Sequence, residues 1–271
     1  MKKTQPFIKW AGGKRQILKA LIDSMPKKYN RYYEPFIGGG ALFFHIMPTN
    51  AYISDINPEL INLYEIVRDN VEELIEDLKK HKNGEEYYYN LRNADRTPYY
   101  KNWNSIQKAS RLIFLNKTCF NGLYRMNSKG YFNVPFGFYK NPRIIDKENL
   151  FACSKLLQNT EIVLSSFLEI ENKVKEGDFV YFDPPYVPVS QTSSFTKYYK
   201  DDFDYDMQFE LKELCDRISK KKASFMLSNS YIDFVTKLYK NYSIKKVDAI
   251  RAINCKGDRR GKINEVIITN Y

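Results

Sequence analysis

The chain is poor in the residues that metal and imidazole chemistry need. It has two histidines, His45 and His81, in 271 residues. Metal centres and histidine-based catalysis are thinly supplied, and no metal is expected. The four cysteines, Cys119, Cys153, Cys215 and Cys255, form no CxxC pair, which excludes a zinc ribbon. No apolar run approaches the length of a bilayer span, so no membrane partner is expected. The first ten residues carry lysines but no apolar stretch behind them, which argues against a signal peptide. Scattered thiols without an export signal predict reduced cysteines and a cytoplasmic location. No internal repeat, low-complexity tract or Gly/Ser linker divides the chain. Acids are scarce beside bases, 32 Asp plus Glu against 43 Lys plus Arg, for a net charge of +11. That balance fits a polyanionic partner or a solvated basic surface, and charge alone does not choose between them.

What is present is a globular composition, 43% hydrophobic and 15% aromatic. It suffices for one large domain or a domain with a sizeable insert. Ile17, Leu18, Leu21, Ile22 and Met25 recur at helical spacing and predict a helix from about Lys14 to Met25, stopped by Pro26. Tyr32 to Ile37 reads as a buried strand that runs through Gly38-Gly39-Gly40 into the apolar helix start Ala41-Leu42-Phe43-Phe44. A second strand, Ala51 to Ser54, ends at Asp55, and Asn57-Pro58 supplies an N-cap and first-turn proline. From about Asn57 to Asp146 helical stretches such as Val71 to His81 and Ser105 to Asn116 follow without clear strands. Strands then return at Glu161 to Leu164, Asp178 to Phe182 and Ala223 to Leu227. A helix from Asp206 to Lys221 turns Phe209, Leu211, Leu214, Cys215 and Ile218 inward, and Tyr242 to Val247 and Glu265 to Thr269 form a final strand pair. The pattern predicts an α/β fold, a Rossmann-like sheet with a mainly helical insert. Residues 1–56 and 147–271 form the sheet domain and residues 57–146 the insert.

Ligands of open α/β sheets bind beyond the carboxyl ends of the strands. Here glycines stand after one strand and an acid after the next. Gly38 and Gly40 let backbone approach a cofactor, and Asp55 is placed to hold ribose hydroxyls. The third glycine of a dinucleotide fingerprint is replaced by Phe43, which suits a cofactor without pyrophosphate, such as S-adenosylmethionine. Glu34 at the strand end offers negative charge to its cationic part. A tight strand-to-helix turn would explain the glycines alone.

The strongest signal is Val180-Tyr181-Phe182-Asp183-Pro184-Pro185-Tyr186. A hydrophobic strand ends at an acid, two prolines stiffen the loop and remove two N–H donors, and an aromatic follows. This set suits the exocyclic amine of adenine, whose lone pair is delocalised into the ring. The Asp183 carboxylate and the Pro184 carbonyl accept its two hydrogens and free the lone pair for in-line attack on a methyl group. A fixed carboxylate stabilises the positive charge that develops on nitrogen. Tyr186 stacks on a base that has left the duplex.

These residues resemble the Dam/DpnM family (D12 class, alpha group) of DNA adenine-N6 methyltransferases. The resemblance covers essentially the whole chain. Pro6 to Lys14 is similar to the family's N-terminal cofactor motif, Glu34 to Gly40 to its glycine motif, and Asp183-Pro184-Pro185-Tyr186 to its catalytic motif. Phe120 to Arg125 and Phe132 to Gly137 resemble its DNA-reading region, and Arg260 to Lys262 with Glu265 to Tyr271 its tail. The resemblance implies S-adenosylmethionine contacts from Trp10, Ala11, Gly12, Lys14, Glu34, Phe36, Gly38, Gly40, Asp55 and Asp183. It implies DNA contacts from Lys9, Phe120, Asn121, Leu123, Arg125, Asn127 and Pro135. Lys9 and Arg125 match guanine readers, Leu123 a thymine contact, and Phe120 stands where the Dam branch inserts a tyrosine. The implied target is GATC in double-stranded DNA, the implied setting a restriction-modification system with a cognate endonuclease or an orphan methylase. A monomer, nucleoid-associated on DNA, is expected.

The insert supports this from its own residues. Lys117, Arg125, Lys129, Lys140, Arg143 and Lys147 interleave with aromatics from Phe120 to Tyr139, and cations hold phosphates while rings wedge or stack. Arg251 to Lys262 is a second basic cluster, a phosphate contact or a hairpin loop. Val187 to Asp204 is expected to order over DNA or cofactor. Asn229 lines the pocket or caps the next helix, and His45 packs. Two rival readings stand: the same chemistry on RNA or a protein amide, though amide methylation goes with Asn where this chain has Asp183, and a DNA-binding protein without catalysis.

Overall fold

The computed structural model describes residues 4–14, 16–186, 203–250 and 262–271. Most of the segment Val187 to Asp204 and of the basic cluster Arg251 to Lys262, including Cys255, Arg260 and Gly261, therefore lies outside the described residues.

Seven strands form one sheet: β1 (Tyr32–Glu34), β2 (Ala51–Asp55), β3 (Thr160–Leu164), β4 (Phe179–Phe182), β5 (Ser224–Ser230), β6 (Ser243–Ile250) and β7 (Lys262–Thr269). Their order is β3-β2-β1-β4-β5-β7-β6. β1 to β5 run parallel, and β7 inserts antiparallel between β5 and β6. The Rossmann-like expectation holds, with the order reversing between β1 and β4.

β1 and β4 are buried at every residue, as strands covered on both faces must be. Their side chains divide by the strand period of two. Tyr32, Phe179 and Tyr181 enter the core shared with the insert. Tyr33, Val180 and Phe182 enter the core on the other face, under α8 (Tyr205–Lys220). β1 stops at Glu34 rather than Ile37, because Pro35 has no N–H for the ladder. The first helix, α1 (Leu18–Asp23), starts later than Lys14. Ile17 and Leu21 still face inward, but Lys14 reaches Asp183 instead of opening the helix.

α2 (Ala41–Ile46) follows the glycine loop. Asn57 caps α3 (Pro58–Asp69) by accepting the Glu59 and Leu60 N–H groups. α4 (Val71–Leu78) and α5 (Glu85–Arg92) then pack with α3 around α6 (Ser105–Thr118). α6 is buried on nearly every side from Ala109 to Asn116 and opens on an Asn104–Gln107 capping box. α3 also packs on β2, β3 and α7 (Lys147–Leu157), so insert and sheet share one core. α9 (Asp233–Leu238) lies between β5 and β6.

One residue of α8 departs from expectation. Phe209 is 48% exposed and meets Phe234 edge-on. The inward stripe runs through Leu211, Cys215 and Ile218, and the helical period places Gln208, not Phe209, in line with them. Gln208 is fully buried. Among the described residues no helix is long and apolar enough to cross a membrane.

Candidate active site

The strand order reverses between β1 and β4, and in open α/β sheets ligands bind at the carboxyl ends of the strands beside such a reversal. Glu34 ends β1, and Asp183-Pro184-Pro185-Tyr186 leaves β4. Asp183 Oδ1 lies 2.8 Å from Lys14 Nζ and accepts the Ser228 hydroxyl at 2.9 Å. The Lys14 ammonium also sits 4.4 Å from the Tyr186 ring centre and donates to the Gly12 carbonyl. Burial raises the Asp183 carboxyl above its ordinary value, opposed by Lys14 and Ser228. The Tyr186 hydroxyl donates to Glu265 of β7 at 2.6 Å.

Glu34 is 2% exposed and accepts the Tyr32 hydroxyl at 2.6 Å. Burial pushes its carboxyl up to about 8, with the nearby Asp183 adding to the rise. Asp55 accepts the Gly38 and Asn57 N–H groups, at 3.2 and 3.0 Å, and burial raises its carboxyl too. It thereby ties the end of β2 to the glycine loop. A Cβ on Gly38 would lie 2.7 Å from the Trp10 ring, so glycine is what lets Trp10 lie on the loop. Gly40 caps α2, Phe36 stacks on Phe167, and Ala11 and Gly12 form the exposed turn before Lys14. An open groove of about 610 Å³ lies elsewhere, at the amino ends of β1 and β2 between Lys27, Asn30 and Thr49. Strand ends of that polarity carry no site residue here.

The residues expected to read DNA lie on either side of Trp10 in the chain, at Lys9 and in the segments after α6. Trp10 stacks on Tyr124, with ring centres 4.7 Å apart, and Tyr124 donates to Glu59 at the start of α3. Phe120, Asn121 and Arg125 are exposed, while Leu123 is half-buried between them. Asn133 accepts from Arg125 Nε at 2.7 Å and so aims the guanidinium. Lys9 is exposed, with its ammonium 5.7 Å from the Tyr139 ring centre. Pro135 is exposed and its carbonyl accepts the Phe120 N–H at 2.9 Å. Asn127 closes a turn, its side-chain oxygen accepting from the Lys129 and Tyr131 backbone.

The family model for D12 class N6 adenine-specific DNA methyltransferases matches residues 10–253. The chain belongs to this family. It is 46% identical to the type II methyltransferase M1.LlaDCHI of Lactococcus lactis subsp. cremoris, over 98% of this chain and 95% of that one. It is 45% identical to the type II methyltransferase M.MjaIII of Methanocaldococcus jannaschii, over 98% and 99% of the two chains. A DNA adenine methylase of Escherichia coli K12 shares 31% identity over 98% of this chain and 95% of its own.

Three supports of this methyltransferase's Asp183–Tyr186 segment escaped the sequence reading. Ser228 links Asp183 to the Tyr181 hydroxyl, 3.0 Å away. Gln208 donates to the Pro185 carbonyl at 3.3 Å and accepts from Asn229 at 3.1 Å. Glu265 holds Tyr186. Asn229 does not cap the next helix, whose N-cap position is Ile232: it is fully buried and braces Gln208. A polar residue inside the apolar stripe of α8 was the available signal for Gln208. Ser228 and Glu265 left none, because only strand pairing brings them to the loop.

Proposed function

We propose that this methyltransferase transfers the methyl group of S-adenosylmethionine to N6 of an adenine flipped out of duplex DNA, within GATC. The juxtaposition of Asp183 and Tyr186 with Glu34 and the glycine loop, at the carboxyl ends of β1 and β4, carries this reading. Family membership supports the adenine-specific chemistry.

The residues suit the cofactor. Glu34 is a buried carboxyl at the end of β1, fit to meet the ammonium or sulfonium. Asp55, at the loop, is fit to meet the ribose, with Trp10 and Phe36 as flat walls and Ala11, Gly12, Lys14, Gly38 and Gly40 as near backbone or polar contacts. When bound, S-adenosylmethionine supplies an activated methyl group. Asp183 and the Pro184 carbonyl accept the hydrogens of the adenine amine and draw its nitrogen toward tetrahedral geometry. The Asp183 carboxylate then stabilises the charge developing on that nitrogen, and the methylated amine returns to neutrality by losing one of its two protons to water. Pro184 and Pro185 hold the loop rigid, and Tyr186 stacks on the base.

Reading is assigned to residues 57–146 together with Lys9, and catalysis to residues 1–56 and 147–271. Lys9 and Arg125 each read a guanine, Leu123 meets a thymine methyl, and Phe120 wedges into the duplex with Asn121, Asn127 and Pro135 alongside. The type II relatives support a restriction-modification setting with a cognate endonuclease, and a monomer suffices for the site. Incubating the protein with S-adenosylmethionine and plasmid, then digesting with endonucleases blocked by adenine methylation at GATC, tests the assignment. Cleavage at every GATC site would refute the target. Asp183→Ala is expected to abolish transfer and keep DNA binding.

A further inference from the structure

The two base-reading segments of the proposed function come from distant parts of the chain. Lys9 precedes the sheet, and Phe120 to Arg125 follow α6. Asn116, in the last turn of α6, joins them. Its Oδ1 accepts the Lys9 N–H at 2.8 Å, and its Nδ2 donates to the Lys9 carbonyl at 2.8 Å and the Gly122 carbonyl at 3.0 Å. The side chain thus pairs with Lys9 much as a neighbouring strand would, where there is no strand. It is 1% exposed, so it does not itself reach DNA.

The joint is closed from the other side by Gly122. Its φ is +64°, and a Cβ there would run into the Lys9 side chain, so the Lys9 stem lies directly across this glycine. Tyr139 ties the far end: its ring faces the Lys9 ammonium and its hydroxyl accepts the Asn121 N–H at 3.1 Å. The contacts make one body of two segments.

We propose that Asn116 is a specificity-positioning residue that fixes the spacing of Lys9 relative to Arg125, and hence of the two bases they read. The inference rests on the assignment of Lys9 and Arg125 as base readers. Base-edge hydrogen bonds demand close placement of donors, whereas phosphate contacts tolerate drift. Release of the clamp therefore degrades reading at both bases at once and leaves sequence-independent affinity in place.

The test compares methylation kcat/KM on cognate duplexes and on duplexes with one substituted base pair. Lys9→Ala and Arg125→Ala are each expected to relax a single, different base pair. Asn116→Asp keeps the shape and the acceptor for the Lys9 N–H, but sets an oxygen against both carbonyls. It is expected to lower discrimination about tenfold at both of those base pairs, with non-cognate DNA affinity and the KM for S-adenosylmethionine unchanged. A merely structural defect scales all rates by one factor and leaves the ratios alone, and that result overturns the clamp. If Lys9→Ala and Arg125→Ala relax nothing, the base-reading assignment itself fails and takes the inference with it. Should Asn116→Asp not fold, amide exchange on the unsubstituted protein decides. The Lys9 N–H, outside any helix or strand, is expected to exchange as slowly as the interior of α6, and fast exchange overturns the proposal.

Discussion

Lys14 Nζ occupies the gap between the Asp183 carboxylate and the Tyr186 ring, 2.8 Å from the one and 4.4 Å from the centre of the other. An ammonium therefore stands at Asp183, one of the two acceptors that the proposed mechanism offers to the adenine amine. On the proposed mechanism the adenine amine replaces the Lys14 ammonium at Asp183, so the carboxylate would have a donor before and after. The neutralising cation also explains how a carboxylate survives in so buried a position.

Replacing that cation gives the first expectation. Lys14→Met leaves Asp183 buried without its partner, at a cost of about 3 kcal/mol in unfolding free energy. Lys14 holds the Asp183 carboxyl down, so its loss moves that carboxyl further up. The acid limb of the pH profile of kcat/KM should shift to higher pH. An unshifted limb in a folded variant would mean that Asp183 is not the group seen.

Glu34 sets a second pH dependence. Its carboxyl, at about 8 in the folded chain, keeps a proton that the unfolded chain releases in the ordinary carboxylate range. The stability it contributes is full below that range and is lost as pH rises toward about 8, at up to ~1.4 kcal/mol per pH unit. Glu34→Gln should flatten this part of the stability curve in denaturant titrations. A cationic ligand beside Glu34 lowers its carboxyl, so cofactor binding below about pH 8 should release a proton and tighten as pH rises. Calorimetry in buffers of different ionisation enthalpy would count the proton, and a count of zero rejects this placement of the cation.

Tyr186 separates ring from hydroxyl. Tyr186→Ala removes the proposed stacking face, worth about 1–3 kcal/mol, or roughly fivefold to 150-fold in kcat/KM. Tyr186→Phe keeps the face, gives up only the bond to Glu265, and should lose no more than about fivefold. Equal losses in steady-state methyl transfer would shift the role to the hydroxyl.

Gln208 tests whether the loop is held from beneath. Gln208→Leu suits the apolar stripe of α8 but removes the donor to Pro185 and leaves Asn229 short of a partner, costing about 1–2 kcal/mol of stability. Single-turnover methylation should slow about tenfold while DNA affinity stays put. Full rate at saturating DNA would show that the two prolines hold the loop unaided.

Most of the frame was legible because it rests on periodicity and punctuation. The Asn57-Pro58 cap, the glycine loop and the apolar run into Asp183 each announce an element by local chemistry. The supports were hidden because their meaning is non-local. Glu265 sits on a strand whose neighbours are β5 and β6, and nothing within its own segment says that Tyr186 will meet it. Asn116 reads as an ordinary helix residue until its two backbone partners are known. Phe209 and Gln208 show the limit of residue type as a guide: hydrophobicity nominated one, but the helical phase buried the other.

The late position of β7 in the chain has a consequence for synthesis. This strand lies inside the sheet, not at its edge, and it brings the carboxylate that holds Tyr186. A nascent polypeptide still short of residue 265 has β5 and β6 without the strand that joins them, and Tyr186 without its anchor. The ribosome must release residue 265 before the pocket can set, so methylating activity should arrive at one step, once that residue is free to pair, rather than grow with chain length.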